Sequence, residues 1–226
     1  VHFAMMMTAL QKTDAVFCGH THTTADVLMA AQSFIGLQEN IETPSITAIV
    51  EIPGFQGPEG EYLIFADCGL NPDPSSSDLA SIAINAADQA VALMDWTPRI
   101  AFLSFSTKGS GSSSTIDKIT EAIKIARQHR PDLDIDGEFQ LDAALLPDVA
   151  ASKIRAASPV AGNANILIFP DLNAANIAIK SVQIFANGRG YGHTLNGFRF
   201  PVADSSRGAS VEEILGDIAM LILSVP

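Results

Sequence analysis

Residues 166–185 read ILIFPDLNAANIAIKSVQIF. Ile166–Phe169 is a short apolar run with two β-branched residues, closed by Pro170 and a polar loop. Such a run is a buried strand, and the pattern over Ile177–Phe185 predicts a helix. In the loop PDLNAAN (170–176) the Asp and Asn side chains read as turn caps.

The same order recurs along the chain. DAVFCG (14–19) is a strand, HTHTT a loop, and Ala25–Ile35 a helix with Thr23 or Thr24 as its N-cap. EYLIFADC (61–68) is a continuous apolar strand and NPDPSSSD a breaker. Asp78 then caps a helix with Leu79, Ile82, Ala83, Ala86, Ala90 and Leu93 on one face. RIAFLSF (99–105) is a strand, STKGSGSSST a loop, and a helix follows with Ile116, Ile119, Ile123 and Ala126 inward. SITAIVEIP (45–53) alternates like a half-exposed strand. The tail Ile214–Val225 reads as a buried amphipathic helix carrying Asp217, too short for a membrane span. Strands alternating with helices imply βαβ units and a largely parallel sheet, whose ligands bind at the carboxyl ends of the strands.

Composition narrows the function. The 226 residues are 47% hydrophobic and only 17% charged, which predicts a large core rather than disorder. The net charge of −12 repels nucleic acid and anionic membranes. A small anionic substrate needs a local pocket of basic groups and helix N-termini. Two cysteines, Cys18 and Cys68, make no disulfide framework, so a reducing cytoplasm is expected. The opening VHFAMMMTAL reads as the middle of a domain.

Four stretches could carry chemistry. In SSRGASVEEI (205–214), Ser206 and Arg207 precede a helix start and Gly208 permits a sharp turn, a setting for an anion. Glu213 is either a base or the far end of the capping box Ser210–Glu213. STKGSGSSST (106–115) reads either as a phosphate cradle with Lys108 supplying charge or as a surface linker. His20 and His22 form an H-x-H pair whose third metal ligand, from His193, Asp67 or Asp204, would have to come by folding. No metal is expected there, and a hydrogen-bonding or capping role is favoured.

Longer stretches carry a resemblance: IFADCGLNPDP (64–74), FLSFSTKGS (102–110), RPDLDIDGEFQLDAAL (130–145), SPVAGNANILIFPDLNAANIAIKSVQ (158–183) and PVADSSRGASVEEI (201–214), with GHTHTTADVL (19–28) beside them. In order and over nearly the whole chain they resemble the phosphate acetyl/butyryltransferase family, phosphate acetyltransferase branch. The resemblance implies a three-layer α/β/α fold with mostly parallel sheets, in two lobes with the active site in the interdomain cleft. Residues 41–190 are expected to form an inserted second domain, and 1–40 with 191–226 the first. It implies coenzyme A or acetyl-CoA, acyl phosphate and phosphate as substrates, no metal, and a homodimer or higher homo-oligomer.

By the same resemblance Glu213 matches the base that deprotonates the coenzyme A thiol, where the family usually has Asp. Ser206 matches the residue that stabilises the tetrahedral oxyanion, and Arg207 the substrate-binding arginine. Substrate, coenzyme A and phosphate contacts are expected from His22, Thr24, Ser106, Lys108, Asn173 and Asn176. The chain departs from the family at Met29, where Arg is common, at Ala209, where Cys is common, and at GYGHTLNGF (190–198). Two other functions compete with acyl transfer. One is a non-catalytic acetyl-CoA-sensing, oligomerising domain of the kind that ends hybrid malic enzymes. The other is a metal-dependent hydrolase built on His20 and His22.

Overall fold

The computed structural model describes residues 1–39, 41 and 43–225. Its elements, in chain order, are α1 His2–Ala9, β1 Val16–Gly19, α2 Thr24–Phe34, β2 Ser45–Glu51, β3 Tyr62–Ala66, α3 Ser76–Met94, β4 Arg99–Leu103 and α4 Ser114–His129. There follow β5 Asp134–Phe139, α5 Leu141–Leu145, α6 Pro147–Lys153, β6 Ile166–Ile168, α7 Leu172–Phe185, β7 Arg189–Asn196, β8 Val202–Ser205 and α8 Val211–Leu223.

The strands form one sheet in the order β1-β8-β7-β2-β3-β6-β4-β5. It contains two parallel blocks, β1 with β8 and β3 with β6, β4 and β5. The blocks are joined by antiparallel pairing through β7 and β2. The α/β/α architecture expected from the sequence is thus present, with helices over both faces of a single sheet.

Strand periodicity shows why both faces are covered. On one face Leu63, Phe65, Ala101, Leu103 and Leu167 pack with Val27 of α2, Ala144 of α5 and Ala175 of α7. On the other, Ile64, Ala66, Ile100, Phe102, Ile166 and Ile168 pack with Leu79 and Ala83 of α3 and Ile119 and Ile123 of α4. Alternate side chains enter opposite layers, so a strand buried on both faces is a continuous apolar run. This also corrects the reading of Ser45–Pro53. Ser45 through Val50 are all buried, because β2 is an interior strand between β7 and β3.

Helix starts follow local chemistry. Thr23 is the N-cap of α2, with Asp26 closing a capping box. In α3 the cap is Ser75, and Asp78 is the third helical residue that reaches back to it. The expectation that Asp78 itself caps the helix is corrected accordingly. The tail helix α8 is only half covered. Asp217 and Leu221 are buried, while Val211, Leu215, Ile222 and Leu223 are exposed.

Candidate active site at the ends of β1 and β8

The parallel pairing of β1 with β8 sets Gly19 beside Ser205 and brings two turns out of the sheet together. The His20 N–H donates to the Ser205 carbonyl at 3.1 Å and ties them. Gly19 has φ +109°, and a Cβ there would collide with the Ser205 backbone, so this approach requires glycine. The first turn delivers His22 and Thr24, and the second delivers Ser206, Arg207 and Gly208 to the start of α8.

α7 supplies a third wall. Leu172, Asn176 and Lys180 recur every four residues and face one cavity of about 290 Å³, together with His22, Thr24, Ser206 and Arg207. Cys68 and Gly69, at the end of β3, complete the wall. Burial pushes the Cys68 thiol far up, with the Asp67 charge adding to it, so the thiol stays neutral and is a poor nucleophile. The Asp67 carboxylate itself is saturated by the N–H groups of Ile46, Gly69, Leu70 and Asn71 and holds this turn to β2.

A second cavity of about 200 Å³ adjoins the first and shares Lys180, His193 and Ser206 with it. Glu213 and Asp217 of α8 line it. The Ser210 N–H donates to Glu213 Oε2 at 2.7 Å, and the Glu213 N–H donates to Ser210 Oγ at 3.2 Å. The capping box anticipated from the sequence is therefore formed, and one oxygen of Glu213 is committed to it.

The electrostatics are mixed. Arg207 and Lys180 bring positive charge to an otherwise acidic chain, and Arg207 makes no ion pair among the described residues. Under them, the buried Asp204 accepts from Thr24 Oγ1 at 2.5 Å through Oδ2, while its Oδ1 has no partner among the described residues. Burial raises the Asp204 carboxyl above its ordinary value, and the Thr24 bond and the His193 charge only partly offset this. No three His, Cys, Asp or Glu side chains among the described residues are grouped so as to hold a metal.

A family model described as Phosphate acetyl/butaryl transferase matches residues 1–222. This chain belongs to that family. A phosphate acetyltransferase of Thermoanaerobacterium thermosaccharolyticum is 43% identical over 219 residues, covering 97% of this chain and 66% of its own length. One of Clostridium acetobutylicum is 42% identical over 223 residues, covering 99% and 67%. A phosphotransacetylase structure from Streptococcus pyogenes superposes with TM-score 0.91 at 38% identity, covering 99% of this chain and 66% of that one. The chain thus spans about two thirds of the length of these relatives.

Of the residues that the family resemblance singled out, His22, Thr24, Asn176, Ser206 and Arg207 meet in the first cavity, and Glu213 lies in the second. Asn173 is exposed and lines neither, because it stands one residue off the Leu172–Asn176–Lys180 stripe. Ser106 and Lys108 also lie elsewhere. Ser106 Oγ donates to Glu138 Oε1 at 2.8 Å, and Lys108 Nζ donates to Asp136 at 2.6 Å. Their loop after β4 is closed on the carboxylates of β5. The sequence reading missed Lys180 and the pairing of His193 with Asp217. The signals were an Asn–Lys spacing of four on one helix and a lone acid in an apolar helix.

Proposed function

We propose that the chain exchanges an acetyl group between coenzyme A and orthophosphate, acetyl-CoA plus phosphate giving acetyl phosphate plus coenzyme A. One observation carries this reading: Arg207, without an ion-pair partner, stands with Ser206 and Lys180 in a cavity beside the start of α8. A guanidinium beside a helix N-terminus is a site for a phosphoryl group. In the reading, Arg207 and Lys180 hold the phosphoryl oxygens, and Asn176, His22 and Thr24 border the rest of the substrate. Ser206 donates to the carbonyl oxygen as it gains charge. A base takes the thiol proton, and Glu213 and His193, which line the second cavity with Ser206, are the candidates for it. Acyl phosphate is already activated, so the chemistry requires no metal.

In this reading 1–40 with 191–226 form a first domain and 41–190 an inserted one, and the antiparallel pairing of β7 with β2 near that boundary supports the division. Exposed Ile184 and Phe185 on α7, and Leu215 and Ile222 on α8, support a homo-oligomer. Among the described residues no helix is long and apolar enough to cross a membrane, and both cysteines are free thiols. The free thiols support a cytoplasmic setting. The Ser206–Arg207–Gly208 turn, with a hydroxyl donor beside the arginine, supports this reading over a purely sensing domain.

The test is phosphate-dependent release of thiol from acetyl-CoA by the natural polypeptide that carries this sequence. Exchange that saturates with phosphate is expected. Tight binding of acetyl-CoA without exchange points instead to the sensing domain.

A further inference from the structure

His193 lies on β7 with its side chain 23% exposed, and it lines both cavities with Ser206. Its Nδ1 is 3.2 Å from Asp217 Oδ1. The Asp217 side chain is 1% exposed and sits in an otherwise apolar stretch of α8. Its Oδ1 also accepts the N–H groups of Gly192 at 2.8 Å and His193 at 3.3 Å, while its Oδ2 has no partner among the described residues. A carboxylate buried with one oxygen unsatisfied costs stability. What it acts on here is the His193 ring.

We propose that His193, positioned by Asp217, is the general base and acid of the acetyl exchange, a role that rests on the transferase reading above. Donation from Nδ1 to Asp217 selects the tautomer whose Nε2 carries the lone pair and aims it away from α8. Nε2 takes the proton from the coenzyme A thiol. The thiolate sulfur attacks the carbonyl carbon of acetyl phosphate, and a C–S bond forms while the carbonyl electrons move to oxygen beside Ser206. Collapse of this intermediate breaks the C–O bond to phosphate, and the imidazolium returns its proton to the departing phosphate oxygen. Acetyl-CoA and hydrogen phosphate leave, and neutral His193 is restored.

Glu213 is the less free of the two groups. Its Oε2 holds the N-terminal N–H of α8, so moving it to a substrate opens the helix start. Among the described residues, the titratable groups that line the two cavities with His193 are Asp217 and Glu213 on α8, Asp204 on β8, Arg207 in the turn, Lys180 on α7, His22 before α2 and Cys68 after β3. β2, on the other side of β7, runs beside it with Thr47 and Ile49, which do not titrate.

Exchange by the natural polypeptide, run from acetyl phosphate and coenzyme A and read as thiol consumed, tests this. His193→Gln is expected to lower kcat about 100- to 10,000-fold with KM for acetyl phosphate unchanged. The acid limb of the wild-type pH–rate profile should vanish with it. Added imidazole should restore part of the rate to His193→Ala, a rescue that a purely structural role does not give. Asp217→Asn should lower kcat by less than His193→Gln. The proposal is overturned by wild-type exchange together with a His193→Gln variant of unchanged rate and pH profile. It is also overturned by a His193→Ala variant whose lost rate imidazole does not restore. A wild type without exchange sinks the transferase reading itself, and the role of His193 with it.

Discussion

Two serine- and glycine-rich turns leave the ends of parallel strands and enter helices, and the protein uses them in opposite ways. After β4, the loop from Ser104 to Ser113 is saturated from within. Glu138 Oε1 accepts from Ser106 Oγ at 2.8 Å and from the Gly109 N–H at 2.7 Å, and the Gly111 N–H donates to Ser106 Oγ at 2.9 Å. Lys108 is held by Asp136. The anion that this cradle binds is its own neighbour's carboxylate. After β8, the turn from Ser206 to Ser210 has few such bonds. The Gly208 N–H reaches Ser206 Oγ at 3.3 Å, and the Ala209 N–H reaches the Ser206 carbonyl at 3.0 Å. Anion-binding composition is therefore no guide to anion binding until the occupant of the turn is known.

Substitutions that act on rate at one turn and on stability at the other probe this contrast. The largest effect is expected at Ser206→Ala. Loss of an oxyanion donor should lower kcat about 100- to 1,000-fold with the melting temperature unchanged. Equal loss of rate and fold would place Ser206 with Ser106 as a structural residue. Arg207→Ala should come next. Removing a charge-assisted contact should reduce kcat/KM for acetyl phosphate about 10- to 150-fold, read by initial rates against acetyl phosphate concentration. An unchanged rate there would leave the cavity without its anion contact and break the comparison at its open side.

At the closed turn the readout is denaturant unfolding. Glu138→Ala leaves the Gly109 N–H without its acceptor and the Ser106 hydroxyl with only Ser110 Oγ, at 3.3 Å, to donate to, at a cost of about 1–3 kcal/mol. A stable Glu138→Ala variant whose exchange is inhibited more strongly by added phosphate would mean the loop is a phosphate site after all. Lys108→Ala is the smallest effect, below about 1 kcal/mol, because Lys108 is partly exposed and Arg127 still pairs with Asp136. Burial raises the Asp136 carboxyl, but the bonds from Lys108, Ser158 and the Gly137 N–H more than offset it, so it sits below its ordinary value. Stability from a depressed carboxyl is present above the unfolded-state value and lost as pH falls through the folded one. The gap between wild type and Lys108→Ala should therefore close in acid, and a gap that widens would assign Asp136 the opposite shift.

Much of this architecture was legible in the chain. ILIF, EYLIFADC and RIAFLSF read as buried strands, because they are short, largely apolar runs bounded by polar breakers. Thr23 or Thr24, of which Thr23 proved the cap, and the pair Ser210–Glu213 announced helix starts through interactions a few residues long. β7 and β8 were not legible. GYGHTLNGF mixes glycine, polar and aromatic residues, and it becomes strand because β2 and β8 complete its backbone hydrogen bonds.

The site divides along the same line. By itself the sequence determined the βαβ alternation, the turn Ser206–Arg207–Gly208 and the family resemblance, because these rest on periodicity, caps and contiguous motifs. Only the tertiary structure decided that His22, Asn176, Lys180 and Arg207 border one cavity, that Ser106 and Lys108 are spent on Glu138 and Asp136, and that His193 meets Asp217. These contacts join residues far apart in the chain, or groups competing for one partner. Strand order and burial decide such competition, and no local pattern encodes either.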